Sequence, residues 1–173
     1  MIFTGSGADV VDFNYTEPAI VHIVGNSSWS YFGVKSYDSN GNQVDLLVNT
    51  TDAYEGTVPI NFTKRDKASR FAIDAVGEWT IEIKPLNEAR FVSVPGTVVG
   101  NGDDVIVLTG KKPDLAHIVG NSDSRYFGVI GYSQTRDLLV NTTDPFDGKV
   151  ILNKDTIVLV ITASGEWTID VED

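Results

Sequence analysis

The 173-residue chain contains no cysteine and a single methionine. The absence of cysteine excludes a disulfide framework, a thiolate zinc site and a cysteine nucleophile. No apolar run approaches the roughly 18 residues that a membrane-spanning helix needs. Basic residues are also scarce: 13 Lys and Arg stand against 24 Asp and Glu, which gives a net charge of −11. Because such a chain repels nucleic-acid phosphate and anionic membranes, neither is expected as its partner.

The first residues, Met1 to Gly7, have neither the basic region nor the apolar stretch of a secretory signal peptide, so none is predicted. The mature part of an exported protein remains an alternative. The hydrophobic share of 42% is sufficient for a folded core. The length predicts one domain or two small ones.

An internal duplication organises the chain. Residues 22–34 recur as residues 117–129 with ten of thirteen positions identical. The segment Asp45–Asp52 recurs unchanged as Asp137–Asp144, and Gly77–Ile81 recurs as Gly165–Ile169. The duplication predicts one repeat at residues 1–84, a second at 97–173 and a short linker at 85–96. Since this linker carries two prolines and several apolar residues, it is expected to be packed rather than flexible.

The periodicity within each copy is that of β-strands. Trp79, Ile81 and Ile83 alternate with polar residues, which is typical of a half-buried strand. The first copy contains seven predicted strands: Asp9–Asn14, Ala19–Val24, Tyr31–Tyr37, Gln43–Asn49, Thr57–Phe62, Arg70–Ala75 and Glu78–Ile83. No stretch has helical spacing. The sequence therefore predicts an all-β protein of two tandem antiparallel β-sandwich domains, similar to immunoglobulin domains.

Several of the repeated blocks resemble a known family. Gly-x-Gly-x-Asp-Val, Asp-Leu-Leu-Val-Asn-Thr and Gly-Glu-Trp-Thr-Ile-x-Ile are similar to blocks of a small β-sandwich repeat found in actinobacterial surface proteins and their phages. The resemblance extends from Gly5 to Val171. It implies a non-catalytic surface protein, and the family has no assigned active site whose residues could be transferred to this chain.

Most of the distinctive side chains have a structural interpretation. His22 and His117 occupy equivalent strand positions, and no nucleophile or set of metal ligands accompanies them in the sequence. They are predicted to be hydrogen-bonded structural residues. Trp79 and Trp167 lie in identical blocks and are predicted to fill the cores. The same core position is predicted for two repeated tyrosines, Tyr31 and Tyr126.

Trp29 is predicted to bind a partner. Its counterpart in the second copy is Ser124, and it follows a run of turn-forming residues, which favours exposure of the indole. Tryptophan is enriched at protein interfaces. Asn26 and Ser28, which precede it, are predicted to take part in the same contact. The alternative is that Trp29 packs on the neighbouring sandwich.

A calcium site is a weaker alternative. Carboxylates recur near turns in both copies, and calcium binds six to eight oxygen ligands. The candidate ligands are Asp9, Asp52, Asp104 and Asp144. Because Asp in turns usually caps its own backbone, and no known calcium-loop pattern is matched, no cofactor is expected.

Together these observations predict a protein without catalytic activity. The favoured interpretation is a structural or surface-attachment protein of a phage virion, either decorating the capsid or associated with the tail. Its partner would then be a capsid or tail protein, and its location the virion surface. The alternative is the mature part of a secreted bacterial cell-surface protein that binds a glycan or another protein.

Overall fold

A computed structural model of the chain describes residues 1–26, 29–63 and 67–173. These residues form seventeen β-strands and one 3-10 turn, η1 (Leu86–Glu88). They divide into two compact units, Met1–Glu88 (unit 1) and Ala89–Asp173 (unit 2). No helix among the described residues has the length and apolar character to span a membrane.

Unit 1 is built from two four-stranded antiparallel sheets. Its strands are β1 (Ile2–Ser6), β2 (Asp9–Asp12), β3 (Ala19–Gly25), β4 (Phe32–Tyr37), β5 (Gln43–Thr50), β6 (Tyr54–Ile60), β7 (Arg70–Asp74) and β8 (Glu78–Pro85). The strand orders are β1-β8-β3-β6 and β2-β7-β4-β5. The first strand thus pairs with the last, the second with the seventh, the third with the sixth and the fourth with the fifth. This is the order of a jelly roll.

Unit 2 has the same order and one additional strand. Its strands are β9 (Arg90–Val94), β10 (Gly96–Asn101), β11 (Asp104–Gly110), β12 (Leu115–Gly120), β13 (Phe127–Tyr132), β14 (Arg136–Thr142), β15 (Phe146–Ile151), β16 (Val158–Thr162) and β17 (Glu166–Glu172). The sheets have the orders β10-β17-β12-β15 and β14-β13-β16-β11-β9. The strand β9 pairs in parallel with β11, whereas the other pairs are antiparallel.

The all-β class and the antiparallel sandwich arrangement agree with the sequence, but three details differ. Unit 1 has eight strands and unit 2 has nine, because β1 and the segment before β10 also pair. The jelly-roll order is not that of an immunoglobulin constant domain, in which one sheet has four strands in the order ABED and the other has three in the order CFG. The predicted linker 85–96 contains η1 and β9, and the boundary between the units falls between Glu88 and Ala89.

A tryptophan occupies the same place in the core of each unit. Trp79 is 2% exposed, and its ring covers Gly5, where a Cβ atom would lie 2.3 Å from the indole Cζ2. The indole Nε1 donates a hydrogen bond to the carbonyl of Gly7 at 3.0 Å. In unit 2 Trp167 covers Gly100 in the same way. The repeated Gly-x-Gly and Gly-Glu-Trp blocks are therefore the two halves of one contact. It joins β1 to β8 in unit 1 and β10 to β17 in unit 2.

Candidate functional site

A buried asparagine holds the β3–β4 loop of unit 1. Asn26 is 2% exposed and has a left-handed backbone, with φ at 62°. Its Oδ1 accepts a hydrogen bond from the N–H of Ser30, and its Nδ2 donates to the carbonyl of Asp52 at 2.8 Å. The prediction that Asn26 contacts a partner is therefore wrong, because both polar atoms of its side chain are used inside the unit. Ser28 lies outside the described residues.

The β12–β13 loop of unit 2 has the same arrangement. Asn121 is 3% exposed, with φ at 62°. Its Oδ1 accepts from the N–H of Arg125, and its Nδ2 donates to the carbonyls of Arg125 and Asp144. The buried asparagine and its contacts are thus common to both units, and the side chains at residues 29 and 124 differ.

Trp29 is the side chain that distinguishes the loop of unit 1. It is 73% exposed, and its φ of 55° lies in the left-handed region, which is unfavourable for a bulky residue. Ser124 has the same backbone conformation in unit 2, with φ at 54°. The left-handed backbone is therefore common to both units, and the exposed indole is what distinguishes unit 1 at this position.

The loop between β7 and β8 adds a second exposed apolar side chain. In unit 2, Ser164 of the corresponding loop donates a hydrogen bond to Asp123 at 3.0 Å, so these two loops are neighbours. The counterpart of Ser164 in unit 1 is Val76, which is 67% exposed. At these two sequence positions unit 1 has the exposed side chains of Trp29 and Val76, whereas unit 2 has two serines. We call these two residues the Trp29 surface.

The two repeated tyrosines lie on the surface, not in the core. Tyr31 is 41% exposed and Tyr126 is 50% exposed. The ring of Tyr31 lies across Gly33, and a Cβ atom there would be 2.5 Å from the tyrosine oxygen. Successive side chains of a strand point to opposite faces, so burial of the neighbouring Phe32 places Tyr31 outside.

The two histidines lie on the outer faces of their sheets. His22 is half-buried, and its Nε2 lies 3.3 Å from Glu55 Oε1. His117 repeats the contact with Asp147 Oδ1 at 2.6 Å. In each unit the acid lies on the neighbouring strand, two residues from the position directly opposite the histidine. This is a diagonal cross-strand pair of the kind that stabilises sheets.

Glu82 faces His22 from the other neighbouring strand. A hydrogen bond from Lys84, at 2.7 Å, lowers the pKa of Glu82 below its ordinary value. Replacing Lys84 by alanine is expected to raise this pKa, which a 13C-detected NMR titration of the glutamate carboxyls would measure. Because the folded-state pKa of Glu82 is depressed, its pair with Lys84 stabilises the folded protein above the unfolded-state pKa. This stabilisation is lost as the pH falls through the folded-state pKa. Lys35→Ala, on the other sheet, is the control, and an unchanged Glu82 titration in Lys84→Ala would contradict the assignment.

The proposed calcium ligands are not assembled into a site. Asp9 and Asp104 each accept a hydrogen bond from the following backbone N–H, and Asp104 also binds Arg90 at 2.7 Å. The backbone N–H groups of Asp52 and Asp144 bond to the threonine two residues earlier. Within the described ranges, no three His, Asp or Glu side chains are grouped as a metal ion requires. The four aspartates instead fix turns and strand ends.

Comparison with known proteins yields solved structures of low similarity. No family model matches the sequence. No curated protein matches it either. Among 26 solved chains with a detectable match is the protein YhaK from Escherichia coli, at 12% identity and a TM-score of 0.29, over 99% of this chain and 83% of that one.

A second match is a protein from a study of the triple jelly roll fold and turret assembly in an archaeal virus. It is 13% identical, with a TM-score of 0.34, over 95% of this chain and 50% of that one. The chain therefore spans half the length of the viral protein. Likeness at this level does not extend to function.

Proposed function

We propose that the protein is a non-catalytic structural protein that acts through its surfaces, as a decorating or tail-associated component of a phage virion. The observation that carries this proposal is Trp29. A tryptophan that is 73% exposed, on a loop clamped by a buried asparagine, is suited to anchor a protein partner. The jelly-roll scaffold holds that loop at one end of its sandwich, together with Val76.

Three surface acids are held in their charged form by neighbouring donors. Hydrogen bonds from Arg70, Asn42 and Lys84 lower the pKa values of Asp12, Asp38 and Glu82 respectively. The His–carboxylate pairs recur in both units, which is expected of scaffold residues inherited by both copies.

The same side chain also supports the alternative, a secreted cell-surface protein that binds a glycan. An exposed indole presents a flat apolar face to which a sugar ring can stack, and it has a polar N–H at its edge. The two functions are distinguished by the partner that Trp29 binds, and one variant tests both.

Replacing Trp29 by serine, the residue of unit 2, is expected to weaken binding to the virion about 30-fold, which corresponds to the roughly 2 kcal/mol of an interface hot spot. Co-sedimentation of the purified protein with particles from the native source measures this. The fold should be unaffected, because Ser124 adopts the same backbone conformation. The variant should also lose its acrylamide-quenchable fluorescence, since Trp79 and Trp167 are buried.

Ser124→Trp in unit 2 is the matched control, because it adds an indole at the equivalent position without altering unit 1. Wild-type binding by Trp29→Ser would contradict the role of the Trp29 surface. Absence of the protein from purified native particles would contradict the virion assignment. Binding on a glycan array that is lost in Trp29→Ser would favour the cell-surface alternative.

A further inference from the structure

The additional strand of unit 2 completes the edge of a sheet. The strand β11 pairs with β16 on one side and with β9 on the other. In the parallel pair, Ile106 lies opposite Arg90 and Leu108 lies opposite Val92. Val92 and Val94 are 8% and 2% exposed and belong to the hydrophobic core of the unit. The sequence of β9, Arg-Phe-Val-Ser-Val, thus alternates between the core and the surface.

An arginine fixes the start of this strand. The Nη1 atom of Arg90 donates to the carboxylate of Asp104 at 2.7 Å, and Nη2 donates to the carbonyl of Val99 at 2.8 Å. Asp104 opens β11, and Val99 lies in β10. The guanidinium therefore joins β9 to both sheets of unit 2 through charge-assisted hydrogen bonds.

Unit 1 contains the same receptor groups without such a strand. The strand β2 is the counterpart of β11, and it pairs with β7 alone among the strands of the described residues. Asp9 has the position of Asp104, and it caps the following N–H in the same way, at 2.7 Å. Thr4 has the position of Val99, since each lies opposite the repeated threonine of the last strand.

The side chains of β2 are correspondingly more open. Val10 is 57% exposed, whereas its counterpart Val105 is fully buried. Val11 is half-buried, whereas its counterpart Ile106 is fully buried. The edge of unit 1 therefore combines a strand with one strand neighbour among the described residues, partly exposed valines and an acidic side chain.

We propose that the free edge of β2 binds an extended strand of another polypeptide, in parallel and with the pattern Arg-x-Val-x-Val. The arginine would bind Asp9 and the carbonyl of Thr4, and in the register of β9 on β11 the two valines would lie opposite Phe13 and Tyr15, which follow β2. Strand addition of this kind takes its affinity from main-chain hydrogen bonds and its specificity from alternate side chains. This site and the Trp29 surface have no residue in common.

The acidic residues of β2 do not prevent such pairing. Charges on an edge strand often serve to block association with other strands. Here, however, Asp104 occupies the same place in unit 2 and is the residue that binds the added strand. Asp12, the other acid of β2, is already paired with Arg70 at 2.6 Å.

A peptide with the sequence of residues 89–94, blocked at both ends and labelled, tests this site on the full-length protein. Fluorescence polarisation is expected to show saturable binding. Asp9→Asn should weaken it at least about tenfold, because it removes the charge from the arginine contact and keeps an oxygen to cap Val10. Asp104→Asn should leave peptide binding unchanged, since β9 already occupies that edge. A peptide with glutamate in place of arginine should not bind.

Hydrogen–deuterium exchange locates the bound peptide. Residues 11–15, the counterparts of the residues that pair with β9 in unit 2, should gain protection. The amides of β5 and β6, two other edges of unit 1, should not. Absence of saturable binding, equal binding by Asp9→Asn, or protection confined to another edge would each overturn the proposal. None of these results bears on Trp29→Ser, so this proposal and the proposed function fail independently.

Discussion

Replacement of Trp79 by alanine is expected to lower the free energy of unfolding by about 3–5 kcal/mol, as is typical for truncation of a large buried aromatic residue. The ring covers Gly5 and donates to the carbonyl of Gly7. Alanine therefore leaves a cavity between the first and last strands and a carbonyl without its indole donor. Trp167→Ala is expected to have the same effect on unit 2, where the contacts are identical in kind. Urea denaturation followed by far-UV circular dichroism measures both losses.

Trp29→Ala is the control for these variants, because a side chain that is 73% exposed should change stability by less than about 0.5 kcal/mol. Hydrogen exchange should show reduced amide protection within residues 1–88 for Trp79→Ala and within residues 89–173 for Trp167→Ala. A loss below about 1 kcal/mol in either variant would show that the glycine–tryptophan contact is not a main support of the fold.

The second large effect is expected for Asn121→Ala, which should cost about 4 kcal/mol in the free energy of unfolding. The side chain makes three hydrogen bonds inside the unit, each worth about 1 kcal/mol net. Its φ of 62° adds a penalty of about 1 kcal/mol for alanine, because asparagine adopts the left-handed region more readily. Thermal and urea unfolding would measure the difference.

Two further variants separate these causes. Asn121→Gly removes the hydrogen bonds but tolerates the backbone, so it should be less damaging than alanine. Asn121→Asp keeps the shape but turns a carboxylate toward the carbonyls of Arg125 and Asp144, so it should be at least as damaging as alanine. If alanine and glycine are equal, the left-handed backbone contributes nothing.

The repeat and the strand periodicity were sufficient to predict the all-β sandwich, but not the order of its strands. Alternation identifies strands such as β8, because Trp79, Ile81 and Ile83 all face the core. It contains no information about pairing between β1 and β8, which are separated by most of the unit. The strand β1 was missed for a local reason: Gly5 weakens the strand pattern, and its need for glycine comes from the distant Trp79.

The candidate site shows the same division between local and distant causes. The prediction of an exposed Trp29 depended on a comparison of the two copies, and the indole is exposed. Asn26 was misjudged because asparagine in a turn is usually solvated, whereas here the side chain is buried and donates a hydrogen bond to the carbonyl of Asp52. Tyr31 was predicted to be in the core, but the neighbouring Phe32 is the residue that faces the core, and adjacent residues of a strand point to opposite sides. The free edge of β2 is visible only in the strand order.

The pairing of the first strand with the last has a consequence for synthesis of the chain. Ile2 lies opposite Glu82 in unit 1, and Val98 lies opposite Ile169 in unit 2. On the ribosome, β1 emerges long before β8, so each unit closes only when nearly all of it has been translated. Contacts so distant in sequence make folding slow compared with that of helical proteins. Until then β1 has no partner, and a nascent chain that ends before residue 78 exposes the apolar faces of its remaining strands to aggregation.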